Sequence, residues 1–205
     1  MRTCLLTLSI VALAPLAALA QAPAALAPDR IGYRKYVLGQ SVAEVAGLAG
    51  LRLVDARTIH ERPARIQELE WRAPFGHPAT EQADPVRDIV FTFCDDQLFR
   101  VAVNYHPDRT EGLTDGDIIG SLAVTYDLPA RGRPTAAQRA ATDAVSDTVV
   151  VASWDTPDAW LTLLRNVHRR EFQLVLTSKS LGVAARAAAL EAMRLDTIEA
   201  PQRER

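Results

Sequence analysis

Cysteine is nearly absent from this chain of 205 residues, and Cys4 and Cys94 are too few for a disulfide scaffold. Charge of one sign is not in excess either. The 23 basic residues face 25 acidic ones, giving a formal net charge of -2 and a pI near 6.1. No basic field is therefore available to hold nucleic acid or an anionic membrane. Only Lys35 and Lys179 are lysines, a compositional bias from which no function follows. Several motifs are missing too. There is no Gly-x-Ser-x-Gly elbow, no Gly-rich phosphate loop and no Asp-x-Asp-x-Asp-Gly calcium loop. Extremes of composition are absent: 48% of residues are hydrophobic, 23% are charged, and the mean hydropathy is -0.01. That excludes a disordered chain, a collagen and a polytopic membrane protein.

What is present begins at the N-terminus. Arg2 precedes an apolar run over residues 5–13, Pro15 breaks it, and Ala18-Leu19-Ala20 closes it. A charged region, an apolar region and a small-x-small site define a secretory signal peptide, with the cut expected after Ala20. A second triplet, Ala25-Leu26-Ala27, stands before Pro28, a poor context for cleavage. The run is too short to span a bilayer as a mature helix. Cys4 lies before the run, whereas a lipoprotein cysteine follows it. Export would leave Cys94 alone, as a small buried apolar residue rather than a reactive thiol.

The chain also repeats itself. Gly39-Gln40-Ser41-Val42-Ala43-Glu44-Val45-Ala46-Gly47 aligns with Gly112-Leu113-Thr114-Asp115-Gly116-Asp117-Ile118-Ile119-Gly120, an offset of 73 residues. Each is a helix start. Ser41 accepts from the N–H three residues on while Glu44 reaches back, and Thr114 with Asp117 repeats the box, less well because aspartate is shorter. Val42, Val45 and Leu48 form one apolar stripe; Ile118, Ile119, Leu122 and Tyr126 form the other. Trp71-Arg72-Ala73-Pro74 resembles Trp154-Asp155-Thr156-Pro157, and about ten extra residues precede the second copy. They include the loop Pro129-Ala130-Arg131-Gly132-Arg133-Pro134.

Strands follow each helix. Ile89, Phe91 and Phe93 alternate with Asp88, Val90 and Thr92, and Phe99, Val101, Val103 and Tyr105 alternate with Arg100, Ala102 and Asn104, with Cys94-Asp95-Asp96-Gln97 as the hairpin between them. Residues 149–154, 160–167 and 172–178 give the second set, and residues 65–72 the leading strand of the first. Residues 181–198 read as an amphipathic helix capped by Ser180 and ended by Pro201. The expected fold is α+β. Two tandem helix-plus-three-strand antiparallel units (36–107 and 108–180) form one continuous structure with their helices on one face, because neither unit buries enough surface alone. Residues 1–20 are the signal peptide, 21–35 an approach segment, with Tyr33 and Tyr36 at its end expected to cover a sheet edge, and 181–205 the C-terminal helix and tail.

The helix-start pattern Gly39, Ser41, Glu44, Val45, Gly50, and again Gly112, Thr114, Asp117, Ile118, resembles that of the small outer-membrane-assembly lipoproteins of the SmpA/OmlA type. The doubled form resembles the β-lactamase inhibitory proteins. The chain departs from the pattern in lacking a proline after Gly50 and a lipidation cysteine. The resemblance implies a non-enzymatic, protein-binding role in the cell envelope, and it carries over no catalytic residue.

The residues themselves offer little chemistry. His60, His77, His106 and His168 have no paired spacing, so no metal site is expected. Asp108, Glu111, Asp115 and Asp117 are acidic enough to suggest calcium, but capping already explains the last. Glu68 and Glu70 share one strand face, which reads as solvated. Trp71 and Trp154 hold the same place in both units and read as core. Trp160 has no aromatic counterpart, Arg87 being its match, and is the best candidate for an exposed contact. The expectation is an exported, periplasmic, non-enzymatic binding or scaffolding protein without cofactor. Its partner would be an envelope or secreted protein, met through the sheet face and loop 127–146 with Trp160, Asp95, Asp96, Arg131 and Arg133. The alternative is a small-ligand binder or hydrolase with its site between the units. A further option makes Cys94 a redox sensor in the envelope.

Overall fold

The computed structural model describes residues 31–73, 85–130, 132, 147–169 and 171–203. The chain is α+β. In order come β1 (Gly32–Tyr33), β2 (Tyr36–Val37), α1 (Val42–Ala49), a 3-10 turn (Leu53–Asp55), β3 (Arg57–His60), β4 (Ile66–Arg72) and β5 (Val86–Cys94). Then follow β6 (Gln97–Tyr105), α2 (Pro107–Thr110), α3 (Asp115–Thr125), β7 (Thr148–Asp155), β8 (Ala159–Asn166), β9 (Phe172–Ser178) and α4 (Lys179–Arg203). β1 and β2 make a small hairpin. The other seven strands form one antiparallel sheet in the order β3-β4-β5-β6-β9-β8-β7.

Both expected capping boxes are formed. Ser41 N donates to Glu44 Oε2 at 2.7 Å, and Thr114 N donates to Asp117 Oδ2 at the same 2.7 Å. The shorter aspartate therefore reaches as well as the glutamate, contrary to expectation, and in both boxes the cap hydroxyl also donates to the acid, Thr114 at 2.7 Å and Ser41 at 2.8 Å. Gly50 closes α1 in the left-handed conformation (φ 69°), and its N–H returns to the last turn. Between β5 and β6 the chain reverses over Asp95 and Asp96, both at positive φ (47° and 66°), the backbone of a two-residue type I′ hairpin.

The alternation of β5 holds: Ile89, Phe91 and Phe93 are buried on one face, together with Val101 and Val103 of β6. Phe99 departs from it. The register slips between Thr92 and Phe93, so Leu98 enters the core and Phe99 packs on the opposite face. A bulge flips every side chain beyond it, and alternation alone does not reveal one. α1 covers the core face through Val42 and Val45, and α3 through Ile118 and Leu122. Leu48 is left 38% exposed. Tyr33 and Tyr36 lie over this same face, with the Tyr36 ring tilted against Phe91 at 4.6 Å between ring centres, and not at a sheet edge as expected. Trp154 is buried and Trp71 is half-buried against the core.

α1 and α3 share one face of the sheet, and α4 does not. It packs on the other side, where Ala185 meets Ile66 and Cys94 with Phe99 beside them. A Cβ on Gly182 would stand 2.9 Å from Thr177 Cγ2, so the helix lies close on β9. It begins directly after the strand. Leu181 N donates to Ser178 Oγ, so Ser178 and not Ser180 satisfies the first turn. Pro201 does not end the helix, which runs to Arg203; so near the terminus a proline forfeits a single backbone bond. Among the described residues no helix is long and apolar enough to cross a membrane.

Candidate functional site

Of the five contact residues expected from the sequence, three are described: Asp95 and Asp96 stand at the turn between β5 and β6, and Trp160 stands on β8. Asp95 and Asp96 are exposed, yet both are committed to the fold. Asp95 Oδ1 accepts from Arg65 N at 2.9 Å, and Asp96 Oδ1 accepts from Val42 N at 3.1 Å, in the first turn of α1. They fasten the β5–β6 hairpin to its neighbours. Arg131 and Arg133 lie outside the described residues, as do His77 and most of loop 127–146. The described part of that loop is pinned. Trp154 Nε1 donates to Pro129 O at 3.0 Å, and a Cβ on Gly132 would come within 2.8 Å of Ser153 O. Pro129 and Gly132 thus lie against β7, an edge strand, and Gly132 shields the backbone at Ser153.

Trp160 sits on the face of the sheet opposite the core, half-buried, paired with Asp155 on β7 and Thr177 on β9. Lys179 Nζ stands 5.9 Å from its ring centre and pairs with Asp155. The result is an indole flanked by an ion pair at the start of α4. Such a patch combines apolar area with a polar rim, the composition that favours protein contact. Elsewhere on this face the carboxylates are matched: Glu68 with Arg57 at 3.0 Å, and Glu70 with Arg72 at 2.8 Å. Asp88 accepts from Arg87 and Asn104, and Gln173 donates to Asn104 at 2.8 Å. Glu68 and Glu70 are therefore separate surface ion pairs and not a catalytic couple.

A cleft of about 750 Å³ that the sequence did not reveal opens beside α3. Its walls carry Asp108, Glu111 and Asp115 against Arg165 and Arg169, with Phe172 at its side. Arg165 Nε approaches Asp115 Oδ1 at 3.3 Å but is buried without a hydrogen-bond partner. Thr110 and Thr114, the hydroxyls of the cleft, already donate inward to backbone and to Asp117. The cleft is lined by residues between 107 and 172, nearly all of them in the second expected unit. Thr114-Asp115 was visible in the sequence as a helix start; Arg165 and Arg169 join it only through the turn between β8 and β9.

Histidines and acids are dispersed. His106 lies near Asp108 (3.6 Å) and His168 near Asp147 (3.1 Å). Among the described residues no three His, Cys, Asp or Glu side chains gather to hold a metal. Cys94 is 7% exposed, and burial beside the Asp95 carboxylate pushes its thiol above the usual range. A thiol so placed is a poor nucleophile and a poor redox sensor. Burial also raises the phenols of Tyr105 and Tyr126, which meet Tyr33 beneath α3. They are neutral packing groups.

No family model matches the chain, and neither a curated protein nor a solved structure resembles it significantly.

Proposed function

We propose that this is an exported, periplasmic protein of the bacterial cell envelope that binds another envelope or secreted protein, without catalysis or a cofactor. The observation that carries the reading is Trp160, an indole left half-exposed between Lys179 and Asp155. Export rests on the charged, apolar and small-x-small regions of residues 1–20.

We further propose that the molecule is two tandem units related by a local two-fold. Three things support this. The strand order β4-β5-β6 meets its reverse, β9-β8-β7. The β6–β9 register centres on Ala102 opposite Val175, 73 positions apart, the offset of the two capping boxes. Trp71 pairs with Ile89, which pairs with Val103; Trp154 pairs with Leu161, which pairs with Leu176. The same register matches Trp160 with Asp88 rather than Arg87, because Arg87 is the extra residue at a bulge. One unit fills that position with a closed polar network and the other with an aromatic surface.

The test has two arms. Protein recovered from the envelope of the native host is weighed by mass spectrometry, with the mass of residues 21–205 expected and the full-length mass contrary to export. Purified 21–205 and its Trp160→Ala variant are then compared for proteins retained from envelope extract. A polypeptide held by the first and lost by the second is the expected result; equal retention would remove Trp160 from the mechanism. A second reading, a small-ligand binder, is favoured by the cleft and by the unbonded Nε of Arg165. It would show as ligand affinity sensitive to Arg165→Ala and indifferent to Trp160→Ala.

A further inference from the structure

α4 has two apolar faces on opposite sides. The inner one is small: Ala185, Ala188 and Ala192 are buried or half-buried, and Ala185 rests on the sheet. The outer one is bulky and bare. Val183, Leu190, Met193 and Ile198 are exposed by 62%, 61%, 62% and 48%. A helix held by alanines while its large side chains face solvent is built to be covered from outside.

The pattern of the outer face says by what. Val183, Ala187, Leu190, Arg194 and Thr197 recur at alternating steps of four and three, the d-a-d-a-d seam of a coiled coil. Arg186 and Met193 then occupy g positions, and Glu191 and Ile198 occupy e positions. In a parallel pair of helices a g residue meets the e residue five places on in the partner. Arg186 therefore meets Glu191, and Met193 meets Ile198: cation to anion, and apolar to apolar. An antiparallel pair sets g against g and e against e, and so forfeits the match of Arg186 with Glu191. Arg186 has no ion-pair partner within its own chain among the described residues. Arg194, bonded to Glu191 Oε1 at 2.6 Å, is the polar seam residue of the kind that sets register at some cost in stability. The seam points away from the sheet, so in a pair the two sheets lie outermost and do not collide.

We propose that the outer face of α4 is covered by α4 of a second copy of this chain, in a parallel two-fold dimer. Sedimentation equilibrium of the protein 21–205 is expected to show reversible monomer–dimer association. Leu190→Asp should weaken it at least about a hundredfold, since two buried leucines are replaced by charges. Arg186→Glu and Glu191→Arg should each weaken it, and the two together should restore it; mere damage to the helix would not be repaired by the second change. Val183→Cys should form a disulfide-linked dimer on mild oxidation. An antiparallel pair centred on Leu190 would hold those positions about 20 Å apart, beyond disulfide reach. A protein monomeric at every concentration, as expected if a different protein covers the stripe, would overturn the proposal. So would a dimer indifferent to Leu190→Asp, or one that Val183→Cys does not cross-link.

Discussion

At the scale of the residue, short polar contacts decide where elements begin. Ser41 accepts from Glu44 N while Glu44 closes the box, so Ser41→Ala should cost about 1 kcal/mol. In a urea titration this appears as a lower midpoint with an unchanged slope. Asp117 makes a different point. Hydrogen bonds from Thr114 hold its carboxyl below the usual carboxylate range in the folded state. The sign follows from linkage: a depressed carboxyl contributes stability above its unfolded value and loses it as pH falls through the folded one. Asp117→Asn should therefore flatten the acid limb of the stability curve and leave its slope near neutrality unchanged. Cys94, buried and held as a thiol, should alkylate only as fast as the protein opens. Rapid alkylation of the native protein would reinstate it as a redox sensor. Such residue-level features were legible where the partner is local. Ser41–Glu44 and Thr114–Asp117 span three positions. Arg165 and Asp115 lie fifty residues apart, so nothing in spacing announced their meeting in the cleft.

At the scale of the element, hydrophobic alternation carried the long strands. Residues 86–93 and 172–178 were read nearly to their ends, because buried positions on one face leave a period of two. The misses have physical causes. β1 and β2 are two residues each, too short for a period, so Tyr33 and Tyr36 were placed at an edge when they are core. The bulge that moves Phe99 is a change of register, not of composition. For α4 the amphipathic pattern was visible, but not which side faces the sheet, since the smaller stripe is the inner one. Trp154 joins two elements: its ring is core, and its Nε1 holds Pro129 against β7. Trp154→Ala should cost about 3–5 kcal/mol. Trp154→Phe should cost less, yet should speed proteolysis after residue 130 if the indole bond is what secures the loop.

At the scale of the molecule, β6 and β9 make the central joint of the sheet. If the two units are copies, the bare β6 edge of the first can replace β9 with itself. A chain ending after residue 107 should then form a dimer through β6, with Ala102 at its two-fold; an unfolded monomer would argue that the halves are not equivalent. The proposed role in the envelope is also a statement about the whole molecule, and it is the least legible in the sequence. Composition argues against a basic or polytopic membrane protein, and residues 1–20 read as an export signal, but a binding face is defined by which side chains the fold leaves uncovered. Trp160 stood out only because its counterpart is not aromatic.

The most direct test is a photo-crosslinking amino acid placed at position 160 of the full-length chain in living cells of the native host, with position 57 on β3 as the control. A specific adduct with one other envelope polypeptide at 160, absent at 57, is the expected outcome. No adduct at 160, or the same adducts at both positions, would contradict a protein-binding role for this face.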